Sequence, residues 1–187
     1  MARTTCAPVT NCDAFKGANA KFLPKRTYQD RLTLGSGADQ VDLYHFGRGH
    51  TNGDTFVVFP AVRAMHTGDM YPRAHMPFID FENSGGAAVE FADTLQKAVS
   101  TIKNVDTVIG GHTPVPVAWS DFATYTDFYG DFLSSAREAI KKGVTPDAFA
   151  KSYQVPAKYK GFQADPARVL ANAQAIWSET KGTAAAR

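Results

Sequence analysis

The chain contains no apolar run approaching the roughly 20 residues that a membrane span requires. Its start, Met1-Ala2-Arg3-Thr4-Thr5-Cys6, has no apolar core of a secretory leader, so neither a membrane nor export is expected and a cytoplasmic location is the default. Cysteine is scarce. Cys6 and Cys12 are the only two, and they can close one small loop but cannot form a disulfide framework. Neither has a neighbour at metal-site spacing. Charge of one sign is also missing: the net charge is +2, and the short basic stretches from Lys21 to Arg26 and Lys158 to Lys160 do not make a nucleic-acid-binding face. There is no phosphate-binding P-loop and no dinucleotide fingerprint, and Ser120 lacks the elbow motif of a serine hydrolase. No His-x-His pair occurs anywhere, and no histidine precedes His45.

The rest of the composition is that of a folded protein. Hydrophobic content of 44% with 20% charged residues argues against disorder, and 187 residues suit one domain, with or without an appendage. Residues 1–26 lack periodicity and read as an irregular arm. Residues 27–143 read as an α/β domain, and 144–187 as a helical extension. Thr27 to Leu34 and Gln40 to Phe46 alternate around Gly35-Ser36-Gly37 and predict a hairpin. Thr55 to Phe59 and Arg63 to Thr67 predict a second, linked around Pro60. Met70 to Gly86 is a long loop of the kind that often carries function. Ala88 to Ile102 predicts a helix with a stripe of Ala88, Ala92, Leu95, Val99 and Ile102. Val105 to Ile109 is a strand, and strand, crossover helix and strand together predict α/β layers. A helix starting at Trp119 or Ser120 carries aromatics expected to pack on the sheet, and Gly143 ends it. Thr145-Pro146 and Asp165-Pro166 start two more helices, and Gly182 to Arg187 is expected to fray.

The candidate chemistry sits where strands end. His50 lies in the Gly-rich turn Gly47-Arg48-Gly49-His50-Thr51-Asn52-Gly53-Asp54, Asp69 follows Gly68, and His112 follows Gly110-Gly111. Two imidazoles and one carboxylate are good zinc ligands, and the glycines let backbone pass close to an ion. Taken singly, His50 also reads as a loop histidine bonded to backbone, and Asp69 as a turn or cap aspartate. Asp54 is expected to fix its turn. His66 reads as a supporting or surface histidine, His45 as a strand histidine, and His75 as a substrate-side or substitute ligand. The hydroxyls of Thr51 and Thr113 are expected to brace the imidazoles beside them.

The order of these pieces is Gly-His-Thr-x-Gly-Asp, strand, His-Thr-Gly-Asp, helix, strand, Gly-Gly-His. From about Leu32 to Phe132 it resembles the second half of a metallo-β-lactamase-fold hydrolase. The resemblance implies half of an αβ/βα sandwich with additional C-terminal helices. It implies one or two zinc ions, with His50 on one metal, Asp69 bridging both as the catalytic carboxylate, and His112 on the other. It further implies a metal-bound hydroxide attacking a small ester, lactone, lactam or thioester. The family's first motif, His-x-His-x-Asp-His, is absent. Zinc binding by this chain is therefore expected to be weak, at one ion at most, and the face bearing Val41, Leu43, Val57 and Phe59 is expected to lie uncovered. The alternative is a truncated or non-catalytic chain that self-associates or needs a complementing N-terminal half.

Overall fold

Six short strands make one mixed sheet in chain order: β1 (Arg31–Leu34), β2 (Val41–Tyr44), β3 (Phe56–Phe59), β4 (Ala64–His66), β5 (Thr107–Ile109) and β6 (Val117–Ala118). The structure is a computed structural model that describes residues 16–22 and 26–185; Cys6 and Cys12 lie outside the described residues. Strands β1 to β4 are successively antiparallel, β5 runs parallel to β4, and β6 returns antiparallel. Both expected hairpins form. The turn of the second is a 3-10 turn over Pro60–Val62, closed by Arg63 in the left-handed region. The parallel step is carried by the helix α1 (Ala88–Thr101), as a crossover between parallel neighbours demands. Strand β6 is only two residues long and leaves no alternation to read in the sequence.

Helices α1, α2 (Trp119–Lys141), α3 (Pro146–Ser152) and α4 (Pro166–Ala185) follow. Helix α4 runs to Ala185, past the point at which fraying was expected. Thr145 caps α3 by accepting the Ala148 amide at 3.2 Å, and Asp165 caps α4 by accepting the Arg168 amide at 3.0 Å. Gly143 closes α2 with φ +71, a conformation that suits glycine.

Register sorts the sheet residues onto two faces. Asp42, Val58, Met65, Val108 and Val117 share one row, and Val58, Met65 and Val108 are buried in the core. The opposite face carries Leu32, Leu43, Val57, His66 and Ile109 in one row and Leu34, Phe59 and Ala64 nearby. Phe59 and Leu34 are each 36% exposed there.

Two packing details differ from the sequence reading. The buried side of α1 is Ala88, Phe91, Thr94, Leu95 and Ala98, with Ala92 and Val99 only partly buried. The helix turns so that Phe91, its largest apolar side chain, meets Tyr129 of α2 with ring centres 4.6 Å apart. The aromatic stripe of α2 meets an aromatic of the sheet at its start, where Phe122 contacts Phe56. A helix of 23 residues is about 35 Å long, whereas a four-residue strand spans about 13 Å. The remaining aromatics overshoot the sheet: Phe132 packs on Phe149 and Tyr153, and Phe128 on Tyr159 and Phe162.

Candidate functional site

Strand directions bring three loops to one end of the sheet. In the parallel pair, His66 lies opposite Ile109, so both chains leave the sheet at the same end. Asp69 and His112 each follow three residues later. Strand β3 is antiparallel to β4, so the loop that precedes it, carrying His50, lies at that end too. The parallel pair continues beyond the strands, with the Thr67 amide donating to Ile109 O at 2.9 Å and the Gly111 amide to Gly68 O at 2.7 Å. Ligand sites in α/β sheets form outside such strand ends.

The three side chains meet there. His50 Nε2 is 3.5 Å from Asp69 Oδ2, and His112 Nε2 is 3.3 Å from the same oxygen. Two glycines allow the approach. A Cβ on Gly111 would stand 2.0 Å from Asp69 Oδ1, and one on Gly86 would stand 2.5 Å from His50 O. The His50 loop is built around Asp54, whose carboxylate accepts the Thr51 amide at 2.8 Å and the Thr51 hydroxyl at 3.1 Å. Asp54 Oδ1 also stands 3.7 Å from His50 Nδ1. Hydrogen bonding to Asp54 raises the His50 pKa above its ordinary value; partial burial opposes this, and the charges of Asp54, Asp69 and Asp80 add to it.

The other candidates fall as follows. Thr51 reaches Asp54 and the Gly53 amide, not a ring. Thr113 closes its own turn by bonding both the amide and the carbonyl of Gly110. His66 Nδ1 accepts the Gly68 amide, and His45 Nδ1 bonds Asp54 O. Neither lines the cleft. His75 does, joining His50, Asp69 and His112 around a cavity of about 560 Å³ with Pro72, Met76, Phe78, Gln163, Asp165 and Arg168. Phe78 is 57% exposed and tilts against the His50 ring. The last three residues come from the segment leading into α4 (Gln163 and Asp165) and from its first turn (Arg168). The sequence marks Asp165-Pro166 as a helix start but holds no sign that this turn reaches the His50 loop.

Ligand atoms bound tetrahedrally to zinc at 2.0–2.1 Å lie about 3.3–3.5 Å apart, which both His–Asp separations match. Asp54 behind Nδ1 is the kind of partner that orients a ligating imidazole. The two His–Asp pairs thus suit a zinc-type ion in donor chemistry and in spacing. They stop short of a closed cage: no group of three His, Cys, Asp or Glu that could hold a metal ion is assembled among the described residues. The His112 side chain is 80% exposed at the mouth of the cleft.

No family model matches the sequence, and no curated protein matches it. Solved structures do match. The fold is similar to that of the stereoselective inverting sec-alkylsulfatase Pisa1 from Pseudomonas sp., with a TM-score of 0.66 at 14% identity over 82% of this chain and 26% of that one. A double mutant of that sulfatase gives the same values. A metallo-β-lactamase from Pontibacter korlensis matches with a TM-score of 0.48 at 17% identity, over 60% of this chain and 51% of that one. The chain therefore spans about a quarter of the sulfatase's length and half of the lactamase's. At these identities the likeness is one of fold alone, a mixed α/β architecture shared over most of this chain with part of the sulfatase.

Proposed function

We propose that the cleft at the strand ends is the metal-dependent hydrolytic centre of this chain, with His50, Asp69 and His112 as the protein ligands of a zinc-type ion. The observation that supports this reading is the meeting of two imidazole Nε2 atoms on one carboxylate oxygen, at 3.5 and 3.3 Å. Asp54 Oδ1 stands 3.7 Å from Nδ1 of His50 while Nε2 faces Asp69, an arrangement suited to orienting a ligating imidazole. Gly111 gives the Asp69 carboxylate its room, and Phe78 and Met76 supply the apolar part of the cleft lining. A bound ion supplies Lewis-acid polarisation of the scissile group and activation of water. Esters, lactones, lactams and thioesters are the substrate classes in view. Calorimetric titration with zinc, paired with a screen of these esters, tests the reading. One ion is expected per chain, bound weakly because three ligands are few. His50→Ala and Asp69→Asn are each expected to abolish uptake. Uptake unchanged in Asp69→Asn would sink the reading.

A second reading concerns partners, and the uncovered apolar face supports it. Half-buried Leu32, Leu43 and Val57 share the face opposite the helices with exposed Phe59, and an apolar face left open marks an interaction site. On this reading, the chain self-associates or takes a complementing N-terminal half before it becomes active.

A further inference from the structure

We propose that Arg168 is the anion-recognising residue of the cleft, and that the molecule bound there is a small organic acid. Its carboxylate meets the guanidinium, and its apolar body lies on Phe78. This rests on the reading of the His50–Asp69–His112 cleft as a substrate site.

Arg168 lines the same cavity as the three candidate ligands but comes from a different element, the first turn of α4. Its Nη1 donates to Met76 O at 3.2 Å, which fixes the side chain along the cleft wall. It forms no ion pair with a carboxylate among the described residues. Asp165 is the nearest acid in sequence, and its carboxylate accepts the Arg168 backbone amide as the helix cap rather than pairing with the guanidinium. A guanidinium carries five donors in a planar fork that matches a carboxylate bidentately. Most of those donors are left for a ligand. Two carboxylates, Asp69 and Asp165, share the wall with three histidines, and repulsion from the carboxylates favours a singly charged guest over a dianion. Phe78 is the apolar complement: a large exposed ring at the rim, backed by buried Met76.

The test uses the full chain in EDTA, so that no metal can contact the probe. Hexanoate, 1-hexanol and inorganic phosphate are titrated while the amide and arginine side-chain resonances are followed by NMR. Hexanoate is expected to bind, shifting the Arg168 side-chain signal, and phosphate to bind more weakly. Arg168→Gln keeps a donor for Met76 O and removes the charge. It is expected to weaken hexanoate about tenfold or more, the size of effect of a lost charge-assisted bond, with 1-hexanol unaffected. Arg168→Lys should recover part of the loss, and Phe78→Ala should weaken hexanoate and 1-hexanol alike. The proposal is overturned if hexanoate does not bind, if Arg168→Gln binds it as the parent does, or if 1-hexanol or phosphate binds more tightly. Zinc uptake by Arg168→Gln is measured separately. Arg168-dependent hexanoate binding in a chain that takes up no zinc upholds this assignment and removes the metal centre. Intact zinc uptake with Arg168-independent binding does the reverse.

Discussion

Gly111 shows how tightly the site is fixed at single residues. A methyl group there would meet Asp69 Oδ1 at 2.0 Å and the Gly68 backbone at about 3 Å, so the carboxylate must leave its position between the two imidazoles. Gly111→Ala is therefore expected to weaken zinc binding at least tenfold while the circular dichroism spectrum keeps its folded form; unchanged zinc affinity would show that Asp69 is not held there. Asp42 offers a pH test away from the cleft. It is buried in the sheet. Burial alone would raise its pKa, but hydrogen bonds from Thr33, Arg31 and Gln40 outweigh this and the net shift is downward. A lowered carboxylate pKa gives stability that is present above the ordinary value of 3.8 and lost as pH falls through the folded value. Asp42→Asn should thus be less stable than the parent in urea unfolding at pH 7, with the gap closing below about pH 3.8. His50, Asp69 and His112 were legible in the sequence because each sits in a local pattern of glycines at a strand end. Arg168 and Phe78 were not, because their membership of the cleft depends on long-range packing that no local pattern records.

At the level of elements, the cleft wall formed by residues 71–87 is held by the His50 loop on one side and by α4 and its lead-in on the other. The Met76 amide donates to Gln163 O at 2.9 Å, and the Gln163 amide to Ala74 O at 2.8 Å. Buried Asn172 donates to Pro77 O at 3.0 Å and to Arg168 O at 2.8 Å. The Tyr129 hydroxyl lies 3.2 Å from Asn172 Oδ1 and 3.0 Å from Ala88 O, donating between them. The residue joins α2, α4 and the loop, and the start of α1 through Tyr129. Asn172→Leu leaves Pro77 O without its side-chain donor, and a lost buried hydrogen bond costs about 1–3 kcal/mol. The urea midpoint should fall accordingly, and resonances of His75 and Phe78 should move with it. A shift in stability without change at those two residues would confine Asn172 to the core. The helices themselves were readable from their caps and breaks, since Thr145-Pro146, Asp165-Pro166 and Gly143 act locally. Which side each helix buries was less readable. Phe91 displaced the expected centre of α1, and α2 outran the sheet it was expected to cover, because a helix's orientation answers to its partners.

For the whole molecule, the open face of the sheet and the exposed His112 raise one question, which is whether the chain works alone. The helices cover one face of the sheet, and the other presents Leu43 and Val57 near the cleft-bearing end and Phe59 at the far end of its strand. If copies associate through this face, light scattering at micromolar concentration should give a dimer or larger species. Val57→Lys should return it to the monomer without unfolding it, since Val57 points away from the helices. A monomeric parent chain would contradict self-association and leave the complementing half as the remaining partner.

The central claim is that His50, Asp69 and His112 together hold a metal. Crystals grown with zinc and measured at the zinc absorption edge address it directly. The account predicts one anomalous peak per chain, within about 2.0–2.2 Å of Asp69 Oδ2 and bonded to Nε2 of His50 and of His112. No peak at Asp69, or two fully occupied ions held by other residues such as His75, would contradict it.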